Sequence, residues 1–218
     1  MKAILASSDI TKVLGGVEMA EQMTGKDRKD INIAVINEAS AVEFQSSRWA
    51  IKELCSFADT FGGSIEIVHI LALTPAQIRE RLMANDMIFV MGGNNEWLKI
   101  VFDKTGISEM LPEILKEKVY VGGSAGSMIL GRQPAYSACK EESFGVTSLL
   151  NILDFAFLPH YLNIKRGRDE AWAIQESKHL EFPVYAISDK AAVVVNSDEI
   201  SVIGEGYLKL QNGEIIRP

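Results

Sequence analysis

Residues 119–130 read Val-Tyr-Val-Gly-Gly-Ser-Ala-Gly-Ser-Met-Ile-Leu: an apolar strand, a serine pinched between glycines, and the start of an apolar helix. A strand that turns into a helix within so few residues allows few folds. Ser124 must stand on a sharp turn with its hydroxyl exposed, and Gly122 and Gly126 remove the Cβ atoms that would collide as strand folds back onto helix. The same turn brings a helix N-terminus and backbone N–H groups near the serine, where charge developing on an oxygen would be stabilised. The pattern is that of a nucleophile elbow and points to acyl transfer. The letters G-x-S-x-G also occur in ordinary glycine-rich turns, so the remaining parts of a site decide between the two.

Strand and helix patterns alternate ahead of the elbow. Ile31–Ile36 is a short, mostly apolar run, and Glu43–Phe61 shows helical spacing of Phe44, Trp49, Ile51, Leu54 and Phe57. Ser64–Leu71 is the next strand, and Thr74-Pro75 opens a helix to about Met83, with threonine as N-cap and proline in the first turn. Met87–Met91 is a third strand, ending at Gly92-Gly93-Asn94-Asn95 before a helix near Glu96. This order predicts an α/β fold with a mostly parallel sheet and helices on both faces. After about residue 180 the pattern changes to short strands, Val184–Ile187, Ala191–Val195, Ile200–Ile203 and Tyr207–Leu210, separated by turn residues, which predicts C-terminal antiparallel strands in a meander. Met83, Met87 and Met91 are read as core.

At 218 residues, with 47% hydrophobic and 23% charged residues, the chain is of a size for one domain, residues 1–218, with a full core. A net charge of −7 and only a short basic cluster, Lys165-Arg166-Gly167-Arg168, argue against a nucleic-acid surface. Cys55 and Cys139 lie far apart without metal-ligand spacing, so neither a disulfide framework nor a zinc site is expected, and a reducing cytoplasm fits. The apolar run after Met1 is too short for a signal peptide, and no run approaches the length of a membrane span. A cytoplasmic protein, monomer or homodimer, is the expectation.

A serine nucleophile needs a base, and the chain has 3 histidines. His69 falls inside a strand pattern, where a core or edge histidine is the simpler reading. His179 ends a charged helical stretch, where helix-dipole stabilisation accounts for it. His160 follows Phe155-Ala156-Phe157-Leu158-Pro159 and so sits at a strand's carboxyl end, the edge where open α/β sheets place their ligands. An acceptor must hold its tautomer, and Asp189, closing the strand that starts at Val184, is again at a carboxyl edge. Glu170, Asp169 and Glu181 compete from helical or solvated stretches. The N–H groups of Ala125, after the serine, and of Gly93, in the glycine loop ending the preceding strand, are the expected oxyanion donors.

The set Gly92-Gly93-Asn94, Gly122-Gly123-Ser124-Ala125-Gly126, Pro159-His160-Tyr161-Leu162-Asn163 and Ile187-Ser188-Asp189 resembles the dipeptidase E and cyanophycinase family of serine peptidases. The resemblance covers about residues 30–200. It implies a glutamine-amidotransferase-like fold, a triad of Ser124, His160 and Asp189, and no cofactor or metal. Many members carry glutamate and glycine where this chain has Asp189-Lys190, and some dipeptidases carry aspartate where it has Cys139. Aspartyl dipeptidases of the family read the substrate carboxylate with a cation after the histidine, and Arg168 is similar in placement; a guanidinium fork suits that task. Asn94 and Asn163, within the same motifs, are expected to join it in binding a small peptide. Cyanophycinase-like cleavage of β-aspartyl peptides and a catalytically silent binding relative of the same fold are the alternatives.

Overall fold

A computed structural model describes residues 1–43, 48–132 and 143–216. In chain order the elements are β1 (Lys2–Ala6), α1 (Gly16–Thr24), β2 (Ile33–Ile36), α2 (Arg48–Thr60), β3 (Ile65–Ile67), α3 (Pro75–Ala84) and β4 (Met87–Val90). Then follow α4 (Asn95–Thr105), α5 (Ile107–Ile114), β5 (Val119–Gly123), α6 (Ala125–Met128), β6 (Ala156–Tyr161) and α7 (Glu170–Ser177). The last strands are β7 (Val184–Ser188), β8 (Ala191–Asn196), β9 (Glu199–Gly204), β10 (Tyr207–Gln211) and β11 (Glu214–Ile215).

Among the described residues the strands form two sheets. The larger has the order β3-β2-β4-β5-β1-β8-β9, parallel from β3 through β1 and antiparallel beyond it. The smaller has the order β11-β10-β7-β6, with β6 and β7 parallel. Two features differ from expectation. Lys2–Ala6, weighed only as a leader, is a buried strand in the middle of the larger sheet. The C-terminal strands are not one meander: β8 and β9 extend the larger sheet, whereas β7, β10 and β11 build the smaller.

Alternation along the strands decides which face each residue serves. Ala3 and Leu5 of β1 point into a core with α3, α4, α5 and α6, and Ile4 and Ala6 into a second core with α1 and α2. Phe57 of α2 stacks on Phe89 of β4 with ring centroids 4.0 Å apart. The smaller sheet joins the first core through Phe157, Tyr185 and Ile187, and covers its other face with α7 through Ala173. Met87 and Met91 are fully buried and Met83 is packed at the margin.

Local chemistry sets the element ends. The Thr74 side chain accepts from Gln77 N while the Gln77 side chain accepts from Thr74 N, a complete capping box with Pro75 in the first turn. In α2 the inward residues are Ala50, Glu53 and Phe57; Ile51, within the helical spacing, is 62% exposed, and Phe44 lies outside the described residues, as does Cys139. Strand β3 stops at Ile67, so His69 lies beyond it and is exposed rather than in a strand interior. No helix among the described residues is long and apolar enough to cross a membrane.

Candidate active site

Ser124 follows the last residue of β5 and has φ 47° and ψ −105°, a conformation that costs a non-glycine residue about 1–3 kcal/mol and must be held by its surroundings. Several bonds hold it. Ser124 N donates to Ala6 O (2.9 Å), the Ser127 hydroxyl reaches Ala6 O (2.7 Å) and Gly122 O (2.8 Å), and the buried Tyr120 hydroxyl donates to Gly126 O (2.6 Å). A Cβ on Gly126 would lie 2.0 Å from Val90 O, and one on Gly122 2.6 Å from Ser127 N. Both glycines are therefore set by backbone approach, as the elbow requires.

His160 and Asp189 come from the smaller sheet. The register of β6 against β7 shifts between Pro159 and Tyr161, and His160 at that irregularity has φ 62°. The shift aims the imidazole back at the elbow. His160 Nε2 lies 3.2 Å from Ser124 Oγ, and His160 Nδ1 lies 2.7 Å from Asp189 Oδ1. With its proton on Nδ1, the ring donates to Asp189 and leaves Nε2 to accept from the serine hydroxyl.

Ser7, just past β1, was not singled out from sequence. Its hydroxyl donates to Ile187 O and accepts from His160 N (3.0 Å), so one side chain of the larger sheet joins both strands of the smaller sheet that carry the histidine and the acid. A serine after a strand gives no sequence signal of this.

The Asp189 carboxyl is held below its ordinary value of 3.8, chiefly by the hydrogen bond from His160, with the charges of His160, Arg166 and Lys12 adding and burial opposing. A lowered carboxyl pKa gives stability that is present above the unfolded value and is lost as pH falls through the folded one. Urea unfolding of the parent and of Asp189→Asn is therefore expected to differ at neutral pH and to converge as pH drops below about 4. The Asp189 side chain is 47% exposed, so the stability difference is small. A gap that is constant with pH would assign it to packing instead.

The serine and histidine open on a cleft of about 400 Å³ that also takes in Gly92, Gly93, Glu53, Asn163, Arg168 and Asp189. The N–H groups of Gly93 and Ala125 donate to no acceptor among the described residues, and a Cβ on Gly92 would stand 3.2 Å from Ser124 Cβ, which puts the glycine loop beside the serine. Arg168 is 7% exposed rather than solvated; its Nη1 donates to Pro159 O (2.7 Å) and its guanidinium lies 5.2 Å from the centre of the Trp172 ring. Asn163 lines the cleft and bridges to Arg168 through its backbone. Asn94 does not line the cleft: its side-chain oxygen accepts from Trp97 N (2.9 Å) as the cap of α4, and its neighbour Asn95 faces the cavity instead.

A mostly parallel sheet with helices on both faces, whose strained serine meets a histidine and a carboxylate from a second, smaller sheet, defines a class of α/β hydrolytic enzymes. The chain belongs to peptidase family S51, whose model matches residues 5–203. It is 29% identical over 204 residues to the uncharacterized peptidase Lin0382 of Listeria innocua, covering 90% of each chain. It is 30% identical over 147 residues to peptidase E of Shewanella oneidensis, covering 62% of this chain and 61% of that one. The fold matches the crystal structure of a peptidase from an acI-B1 Actinobacterium with a TM-score of 0.70 at 16% identity, over 99% of this chain and 96% of that one.

Proposed function

We propose that the protein is a serine-type peptidase that hydrolyses dipeptides with an N-terminal aspartate through an acyl-enzyme on Ser124. The observation that carries this reading is the continuous line from Ser124 Oγ to His160 Nε2 (3.2 Å) and from His160 Nδ1 to Asp189 Oδ1 (2.7 Å). His160 takes the serine proton as Oγ attacks the peptide carbonyl, and the N–H groups of Gly93 and Ala125 receive the oxyanion. The protonated imidazole, steadied by Asp189, then gives its proton to the leaving amine, and water resolves the acyl-enzyme along the reverse path. Cysteine stands at position 139 where some dipeptidases have aspartate, and the mechanism does not call on it.

Arg168 supports the choice of substrate, as a guanidinium held at the cleft wall by Pro159 O and Trp172. The test is hydrolysis of Asp-p-nitroanilide beside Leu-p-nitroanilide, with Ser124→Ala as control. Selective, Ser124-dependent release from the aspartyl compound is the expected result. Arg168→Lys keeps the charge and loses the planar fork, so it is expected to raise KM for the aspartyl compound about 10–100-fold and to leave the leucyl compound little changed. Equal losses on both would remove Arg168 from substrate selection. Release of β-Asp-Arg from its polymer would favour the cyanophycinase-like reading, and failure of a fluorophosphonate to label Ser124 the silent one.

A further inference from the structure

Glu53 is a glutamate on a helix that would ordinarily turn such a residue to water, yet it is only 5% exposed and lines the cleft. Its Oε1 lies 3.2 Å from where a Cβ on Gly123 would stand, so the carboxyl group rests against the residue that precedes Ser124. No hydrogen-bond donor among the described residues reaches it. Each of the other buried carboxylates has at least one donor, although Asp9 Oδ2 and Glu38 Oε2 have none: Glu38 accepts from Ile70 N (2.8 Å), Asp9 from Thr11 N (2.8 Å), and Glu96 from Phe144 N (2.7 Å) and Val146 N (3.2 Å). Buried carboxylates go with partners, and a cavity wall that carries one without a donor is shaped for a donor that arrives with the ligand.

The ligand chemistry follows from position. In a peptide cut after its first residue, the α-nitrogen is one carbon away from the carbonyl under attack. A group that binds this nitrogen must therefore stand beside the nucleophile, and Glu53 does. We propose that Glu53 receives the free α-ammonium group of the substrate's first residue and so restricts the site to peptides with an unblocked N-terminus. This assignment rests on the peptidase reading above and adds to it the feature that would make the enzyme act from the chain end.

The electrostatics agree. Burial, with the charge of Asp9 adding to it, pushes the Glu53 carboxyl up to about 7, and Lys12 opposes the shift. Asp9 and Lys12, from the turn after β1, are the charged groups that act on it; they lie 3.9 Å from each other, and the Lys12 side chain is 59% exposed. Near neutral pH the empty site thus holds a partly protonated Glu53. An arriving ammonium favours the ionised form and expels that proton to solvent, leaving an ammonium–carboxylate pair.

The test uses the full-length protein carrying Ser124→Ala, so that ligand is not consumed, and isothermal titration calorimetry with two probes. One is Asp-Leu; the other is succinyl-Leu, the same molecule without the amine. Asp-Leu is expected to bind at least tenfold tighter and, measured at pH 7 in buffers of different ionisation enthalpy, to release a fraction of a proton. Adding Glu53→Gln, with folding checked by circular dichroism, is expected to abolish both the preference and the proton release. Equal affinity for the two probes, or a preference that survives Glu53→Gln, would overturn the assignment while leaving a peptide-binding site in place. Binding of neither probe, together with no hydrolysis of Asp-p-nitroanilide by the parent, would overturn the peptidase reading itself and the assignment with it.

Discussion

Replacing Ser124 with alanine is expected to lower kcat on the best peptide substrate by about 10⁴–10⁶-fold and to abolish labelling by a fluorophosphonate. The two readouts address different things. Loss of turnover alone would follow from any disturbance of the cleft, whereas loss of a covalent adduct at an otherwise intact elbow identifies the attacking atom. The substitution keeps the backbone that makes the site: the bonds from Ser124 N to Ala6 O and from Ser127 Oγ to Gly122 O do not involve the hydroxyl removed. Only the contact with His160 Nε2 is lost, so the melting temperature should stay close to that of the parent. Turnover within tenfold of the parent would eliminate an acyl-enzyme on this residue and leave activation of water by His160 as the remaining use of the pair.

The second large effect is on stability. Gly126→Ala places a Cβ 2.0 Å from Val90 O and 3.1 Å from Val90 Cβ, where β4 runs under the first turn of α6. The obstacle is backbone, not a side chain that can swing away, so strand and helix must separate. Overpacking of this kind costs about 3 kcal/mol or more, which for a chain of this size lowers the melting temperature by about 6–12 °C. Catalysis should fall as well, because Ser124 is fixed to that helix through Met128 N, which donates to Ser124 O (2.9 Å). Calorimetric melting of the purified variant measures the first effect and kcat the second; an unchanged melting temperature would mean that the elbow is looser than the close approach to Val90 implies.

Where sequence was informative, the signal was local. The elbow, the Thr74-Pro75 helix start and the strand ends carrying His160 and Asp189 each depend on a few neighbouring residues whose conformational preferences agree. Residues whose role depends on distant chain segments were missed. Lys2–Ala6 is too short to show periodicity, and its burial arises from Val119–Gly123 on one side and Ala191–Asn196 on the other. The partition of the last strands between two sheets is equally a matter of partners, since β8 pairs with the distant β1 and β10 with β7. Glu53 looks like a solvent-facing helix residue because nothing adjacent announces the cavity it enters. Asn94 is ambiguous in the opposite sense: an asparagine after a glycine loop suits both ligand binding and helix capping, and its side-chain oxygen caps α4.

The place of β1 has a consequence for how the chain is made. Strand β1 precedes both of its sheet partners in the chain, so its hydrogen-bonding edges stay open until residues 119–123 and 191–196 have been made. The middle of the larger sheet therefore cannot close on local contacts alone, and its assembly depends on contacts of long sequence separation. During that interval Ala3, Ile4 and Leu5 form an apolar strand with two free edges, the kind of segment on which aggregation begins.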